Sequence, residues 1–418
     1  MGVMLTVLGL VVGLLGTAAA WIAVKLAKGP GREARRTATV DEFIATRQYL
    51  KEHIRQLVGV GLITHRMFRD DHSLPVLAQP GWILERPVHL STAILRHVEP
   101  SLSVSTDEAV KMLRRYWPIR ANGERMGSYH EAFGEYDRPS GWFNGASYRM
   151  LRVVRVAGTL EMTFTDTWYW DNIDTTESLL YEASFVHARS GGRSVTGPYR
   201  RFLGSPFDFD RRCATPGIDA ITIRMEGGRG TFYVIRRDSS KVVSAAGATG
   251  IVPAGEFQPS DDSLAAKRAD FDLWRSIMRE YVEEFLDLDD ARVRLGTPIN
   301  FTERPTYSLL SSSYSSRKIK PFLLGVGLDP VNWKPTILTV CVFPARLFDK
   351  LFSGMVPSNH EGLLELPVRQ RDRDRPLEGW PFDEETVFAY ANDPGVLPAA
   401  RAGLMLVWRH RKMLGISA

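Results

Sequence analysis

Apolar residues recur at helical spacing near the middle of the second half of the chain: Trp274, Ile277, Met278, Tyr281, Val282 and Phe285. This predicts a helix over residues 264–286 with one buried stripe. Its polar side carries Glu280, Glu283 and Glu284, three and four apart, which an α-helix would turn toward one point. Near the start, Thr39-Val40-Asp41-Glu42 has the form of a capping box, and Phe43, Ile44, Leu50, Ile54 and Leu57 continue at helical spacing. That predicts the first helix of the folded body. A second is expected over 106–116. β-prone stretches at 148–156, 159–165 and 178–186 predict strands. The Gly- and aromatic-rich stretch 127–148 reads as a loop, and Trp168-Tyr169-Trp170 as a strand packing both faces. Further on, 221–225 and 231–235 read as two strands joined by the turn Gly227-Gly228-Arg229-Gly230, with more strands at 322–328 and 336–343.

One pattern is of a different kind. Residues 4–24 form a run without a charged side chain, followed at once by Lys25, Lys28, Arg32, Arg35 and Arg36 against a single acid, Glu33. Such a run is long enough to cross a hydrocarbon core of ~30 Å as a helix. Positive charge after the run and none before it predicts an N-terminus outside and a cytoplasmic body. A cleaved signal peptide would carry charge before a shorter apolar core, so the run reads as a single transmembrane anchor with its basic stop, residues 1–28. Residues 29–38 read as a linker, 39–216 as an N-terminal α+β region, either a domain or a large extension of the part that follows, and 217–418 as an α/β domain.

Composition narrows the chemistry. The 418 residues include two cysteines, Cys213 and Cys341, far apart, which excludes a disulfide framework and a zinc knuckle. The net charge of +5 rests largely on the juxtamembrane cluster, which suits anionic lipid; with no basic stripe elsewhere, no nucleic-acid partner is expected. The nine histidines show no pair at helical metal-ligand spacing, and no Gly-rich phosphate loop is present. Tyr129-His130-Glu131 offers a His beside a Glu, but adjacent residues rarely aim at one target, and no third partner is visible. The Trp168-Tyr169-Trp170 run could stack on a base, although core packing is its commoner use.

The order Arg279-Glu280-Tyr281-Val282-Glu283-Glu284-Phe285-Leu286 resembles the core of the Nudix box, G-x5-E-x7-R-E-U-x-E-E-x-G-U, with U a bulky apolar residue. The strand pair, Arg236-Arg237, the Val252-Pro253-Ala254-Gly255-Glu256-Phe257 segment and the acidic helix follow the order of the Nudix hydrolase superfamily, over roughly residues 217–415. Leu286 stands where the family has Gly. The upstream acid position falls on Asp261 when counted from Gly255, with about ten extra residues before Arg279.

The resemblance implies an α/β/α sandwich on a mixed sheet, hydrolysing a nucleoside diphosphate linked to another group. It implies that Glu280, Glu283, Glu284 and Asp261 hold Mg²⁺ or Mn²⁺, with Glu283 and Glu284 in the catalytic centre and Arg279 orienting the glutamates. A later-loop base would be Glu361 or Glu365. A divalent cation neutralises the diphosphate and activates water, which is why carboxylates suit the task. Three functions stay open: a membrane-anchored hydrolase, a nucleotide sensor with little turnover signalling through its anchor, and a structural scaffold with solvated glutamates. Nothing in the pattern excludes a homo-oligomer.

Overall fold

The computed structural model describes residues 39–99, 106–139, 142–238, 247–288, 299–359, 362–367 and 377–417. The anchor expected at 4–24, its basic stop and the linker lie outside them. Among the described residues no helix is long and apolar enough to cross a membrane.

Helix α1 (Val40–Thr64) begins where the capping box predicts, Thr39 accepting the Glu42 N–H at 3.1 Å. The chain continues through strands β1 (Ile83–His89) and β2 (Ile94–His97) and helices α2 (Thr106–Leu113) and α3 (Tyr129–Tyr136). Strands β3 (Ala146–Val156) and β4 (Thr159–Trp168) form a hairpin through Ala157-Gly158, both at positive φ, the two-residue turn whose twist suits flanking strands. Strand β2 joins β4 in parallel, completing a three-stranded sheet.

Three expectations fail in this part. Residues 178–186 belong to a helix, α5 (Ser178–Arg189), preceded by α4 (Tyr169–Asn172) and a π-turn at Ile173–Glu177. Residues 178–184 are buried without interruption, so no exposed stripe marked the helix. Trp168 ends β4, and Tyr169 and Trp170 open a helix, so the aromatic run is not one strand. The supposed loop 127–148 contains α3.

A short helix, α6 (Pro198–Leu203), leads toward the main sheet. Strands β5 (Gly217–Glu226) and β6 (Arg229–Phe232) are joined by Gly227-Gly228. Then come β7 (Val234–Arg237), β8 (Thr249–Ile251), β9 (Ala254–Glu256), helices α7 (Leu264–Ala269), α8 (Leu273–Glu280) and α9 (Pro305–Ser315), and strands β10 (Lys320–Leu328) and β11 (Pro335–Pro344). Helix α10 (Ala345–Leu351), strands β12 (Gly362–Glu365) and β13 (Trp380–Pro381) and helices α11 (Glu384–Asn392) and α12 (Pro398–His410) finish the chain. The seven-stranded sheet runs β1-β10-β11-β5-β6-β13, with β9 also on β5. It is mixed, β11 and β5 being parallel and the other pairs antiparallel. Strands β12, β7 and β8 form a smaller sheet.

Helices cover both faces of the main sheet, as alternation along β5 shows. Ile221 meets α12, so closely that a Cβ on Gly403 would stand 2.7 Å from Ile221 Cδ1. The neighbouring Thr222 hydroxyl lies 2.9 Å from Tyr281 Oη on the other side. The protein is thus a mixed α/β fold with its core on both sides of the sheet. Strand β1, from the part of the chain before residue 217, is the sheet's edge, Val88 opposite Leu323. One buried apolar cluster runs from Phe43 to Ile416.

The helix expected over 264–286 is broken. Asp272 caps α8, accepting the Arg275 N–H at 2.8 Å. The residues before it leave the helix: Asp270 binds Ser260, and Phe271 enters a ring cluster with Tyr148, Phe164 and Phe257. From Tyr281 to Phe285 the chain makes a π-turn.

Candidate functional site

Three segments distant in sequence converge at the end of α8. Trp274, Ile277 and Met278 bury one side of that helix and lay it across β9. A Cβ on Gly255 would stand 2.1 Å from Glu280 Cδ and 2.3 Å from both carboxylate oxygens. The Glu280 carboxylate therefore rests on the Gly255 backbone, in the space a Cβ would take. One residue along the strand, the Ala254 N–H donates to Glu284 Oε1 at 2.6 Å, and Glu284 is 1% exposed. The third segment follows α10: Asn359 Nδ2 donates to the Glu284 carbonyl at 2.8 Å and the Val356 N–H to the Phe285 carbonyl at 2.9 Å. These donors satisfy carbonyls that a helix end leaves open.

The π-turn changes which carboxylates share a direction. Its i to i+5 bonding advances each residue by less than an α-helix does. Glu284 lies on the β9 side with Glu280, and Glu283 is half-buried. Arg279 is buried, donates to the Gln258 carbonyl at 2.7 Å and stands 4.0 Å from Asp270. Asp261 lies in the loop before α7, where its Oδ1 accepts the Ser263 N–H at 2.7 Å. Glu365 ends β12 with its carboxylate on Arg236, 2.9 Å away. Glu361 lies outside the described residues. Among those residues no group of three or more His, Cys, Asp or Glu side chains is arranged to hold a metal ion. Glu284 accepts a backbone amide through Oε1, and Asp261 closes its own turn through Oδ1.

A second candidate lies in the N-terminal part, where the sequence reading saw no third partner for His130. An open cleft of about 740 Å³ is lined by Ser128, His130, Arg138, Trp142, Asn144 and Trp170 among others. Asp174, in the first π-turn, grips His130 twice: Oδ1 accepts its backbone N–H at 2.8 Å and Oδ2 faces Nδ1 at 2.7 Å. The ring stacks on Trp170 at 4.3 Å between centroids. Glu131, as expected of an adjacent residue, does not face the His130 ring but turns to the Gly127 N–H at 2.7 Å and to Arg120. A signal was present: Ser128 and Glu131 have capping-box spacing, and Ser128 Oγ accepts the Glu131 N–H at 3.2 Å. The Asp174 contact, 44 residues away, left no local trace. No protein-family model matches this chain, and no curated protein matches it.

Proposed function

We propose that the protein is a Nudix-like nucleotide-binding module that senses a nucleoside-diphosphate derivative with little or no turnover. The residue 4–24 run is read as its membrane anchor, with the body cytoplasmic. One observation carries the proposal: the acidic helix, the Pro-x-Gly strand and the loop around Asn359, which the resemblance picks out separately, meet at one place. The exclusion of a Cβ from Gly255 by Glu280 ties two of them across 25 residues of sequence.

The same contacts argue against rapid hydrolysis. A carboxylate that is 1% exposed and bonded to a backbone amide serves the fold before it serves a cation. Leu286 in place of the box Gly and the π-turn both alter the helix end that the family uses. Any divalent cation is therefore expected to enter with the phosphates of the ligand.

Calorimetry on the full-length chain with a panel of dinucleotides, with and without Mg²⁺ or Mn²⁺, tests this against the hydrolase reading. Binding without phosphate release supports the sensor. Metal-dependent hydrolysis abolished by Glu283→Gln with Glu284→Gln supports the hydrolase. Absence of any nucleotide binding leaves a scaffold.

A further inference from the structure

We propose that Ser128, His130 and Asp174 form a nucleophilic triad that hydrolyses carboxylic esters in the aromatic cleft. The site is independent of the acidic helix and of the nucleotide reading.

The hydrogen bonds impose a direction. Asp174 is an acceptor toward both the backbone N–H and Nδ1 of His130, so Nδ1 carries the proton and Nε2 offers its lone pair. That Nε2 stands 3.3 Å from Ser128 Oγ. The Glu131 N–H already donates to Ser128 Oγ, which leaves the hydroxyl proton for the imidazole. Nucleophile, base and orienting carboxylate thus come in the order such chemistry needs, and their spacing is within the looser range seen without substrate. Two features hold the base in place. Trp170 fixes its ring plane by stacking, and the π-turn at Ile173–Glu177 presents Asp174.

The surroundings fit an ester. Trp142, Phe143 and Trp170 give the cleft apolar walls for an acyl or aryl group, and Phe143 is 61% exposed. Asn144 Oδ1 accepts the Trp170 N–H at 3.0 Å, which fixes the amide and leaves Nδ2 as a donor for a developing oxyanion. Arg138, also lining the cleft, offers a cation to a substrate that carries an anionic group.

The reaction balances without a co-reactant other than water. Ser128 Oγ bonds to the acyl carbon as its proton passes to His130 Nε2. The tetrahedral adduct expels the alkoxide, which takes that proton and leaves as the alcohol. Water then attacks the acyl-serine, gives a proton to Nε2, and the carboxylic acid departs as Ser128 recovers its hydrogen. Asp174 is a positioning residue that holds the tautomer.

The full-length chain is assayed with p-nitrophenyl butyrate and treated with a fluorophosphonate probe, followed by peptide mass spectrometry. Hydrolysis and an adduct on Ser128 are expected. Ser128→Asn keeps an N-cap oxygen while removing the nucleophile. It should lower the rate roughly 100-fold or more and abolish labelling, with the melting temperature held. His130→Gln should do likewise. Asp174→Asn, which reverses the hydrogen bond and so the tautomer, should lower kcat with KM little changed. No adduct on the folded protein, or hydrolysis unaffected by Ser128→Asn, overturns the proposal and leaves Ser128 as a helix cap. Nucleotide binding by Ser128→Asn should equal that of the wild type, so the two readings fail separately.

Discussion

Gly255 shows how much one hydrogen atom in place of a side chain decides. The Glu280 carboxylate fills the volume a methyl would need. Gly255→Ala must therefore displace the carboxylate, the far end of a flexible side chain, so the loss is expected at the low end of overpacking, about 1 kcal/mol or less. Urea unfolding of the variant is expected to show that loss; an unchanged midpoint would mean that Glu280 moves aside freely. Glu284 makes the complementary case. Glu284→Ala strands the buried Ala254 N–H and should destabilise by about 1–3 kcal/mol. Glu284→Gln retains an oxygen acceptor and the side-chain volume and should cost clearly less, so the difference between the two variants reports the hydrogen bond and the packing together, apart from the charge.

Elements are set by the ends and the irregularities of the chain more than by their middles. Both π-turns extend a helix by a loosened turn, and each sits beside a candidate site: Ile173–Glu177 presents Asp174, and Tyr281–Phe285 orients Glu283 and Glu284. Helix α1 offers a direct test of packing against propensity. Gly59 is exposed, with open space where a Cβ would go, whereas a Cβ on Gly61 would meet the Pro330 carbonyl oxygen at 2.7 Å. Gly59→Ala is expected to stabilise by about 0.5–1 kcal/mol, since Gly is the poorer helix residue. Gly61→Ala on the same helix should instead destabilise, because backbone cannot step aside as a flexible side chain can. Equal effects in denaturant unfolding would show that α1 does not press on the 329–334 turn as described.

The whole molecule is knit across its sequence halves. Strand β1 edges the main sheet, and Arg200 of α6 reaches the Val331 carbonyl and the face of Trp333. A fragment of residues 217–418 would expose the β10 edge and part of the common cluster. It is expected to show no cooperative thermal transition by circular dichroism, while the full chain unfolds in one. His65 lies in this same seam, its Nε2 3.3 Å from Arg200 Nη1. Burial, aided by the Arg200 charge, pulls its pKa down to about 3. The native state thus keeps the imidazole neutral, while the unfolded chain takes up a proton near 6.5. Below that pH the unfolded state binds more protons, so stability falls as pH falls from about 6.5 toward 3. Urea midpoints at about pH 7 and about pH 5 should drop less in His65→Gln than in the wild type, because the variant lacks that proton uptake.

The sequence by itself determined the strands at 221–225, 322–328 and 336–343, the hairpin turn at Gly227-Gly228 and the start of α1, whereas the strand expected at 231–235 is divided at Tyr233 between β6 and β7, which lie in different sheets. These rest on neighbours a few residues apart: alternation, turn glycines and a cap. The tertiary structure alone decided that residues 178–186 are helical, because a segment buried on all sides loses the polar stripe that would declare its period. It also decided that Asp270 and Phe271 interrupt the acidic helix, by giving the carboxylate and the ring better partners elsewhere. At the candidate sites the residue types were legible and their partners were not. The spacing of Glu280 is visible in the sequence, but its contact with Gly255 depends on α8 lying across β9. His130 has no partner near it in sequence, and folding brings one from 44 residues away. Short-range pattern fixes elements because their energetics are local, whereas a site depends on which faces pack together, and that is settled by burial of the entire chain.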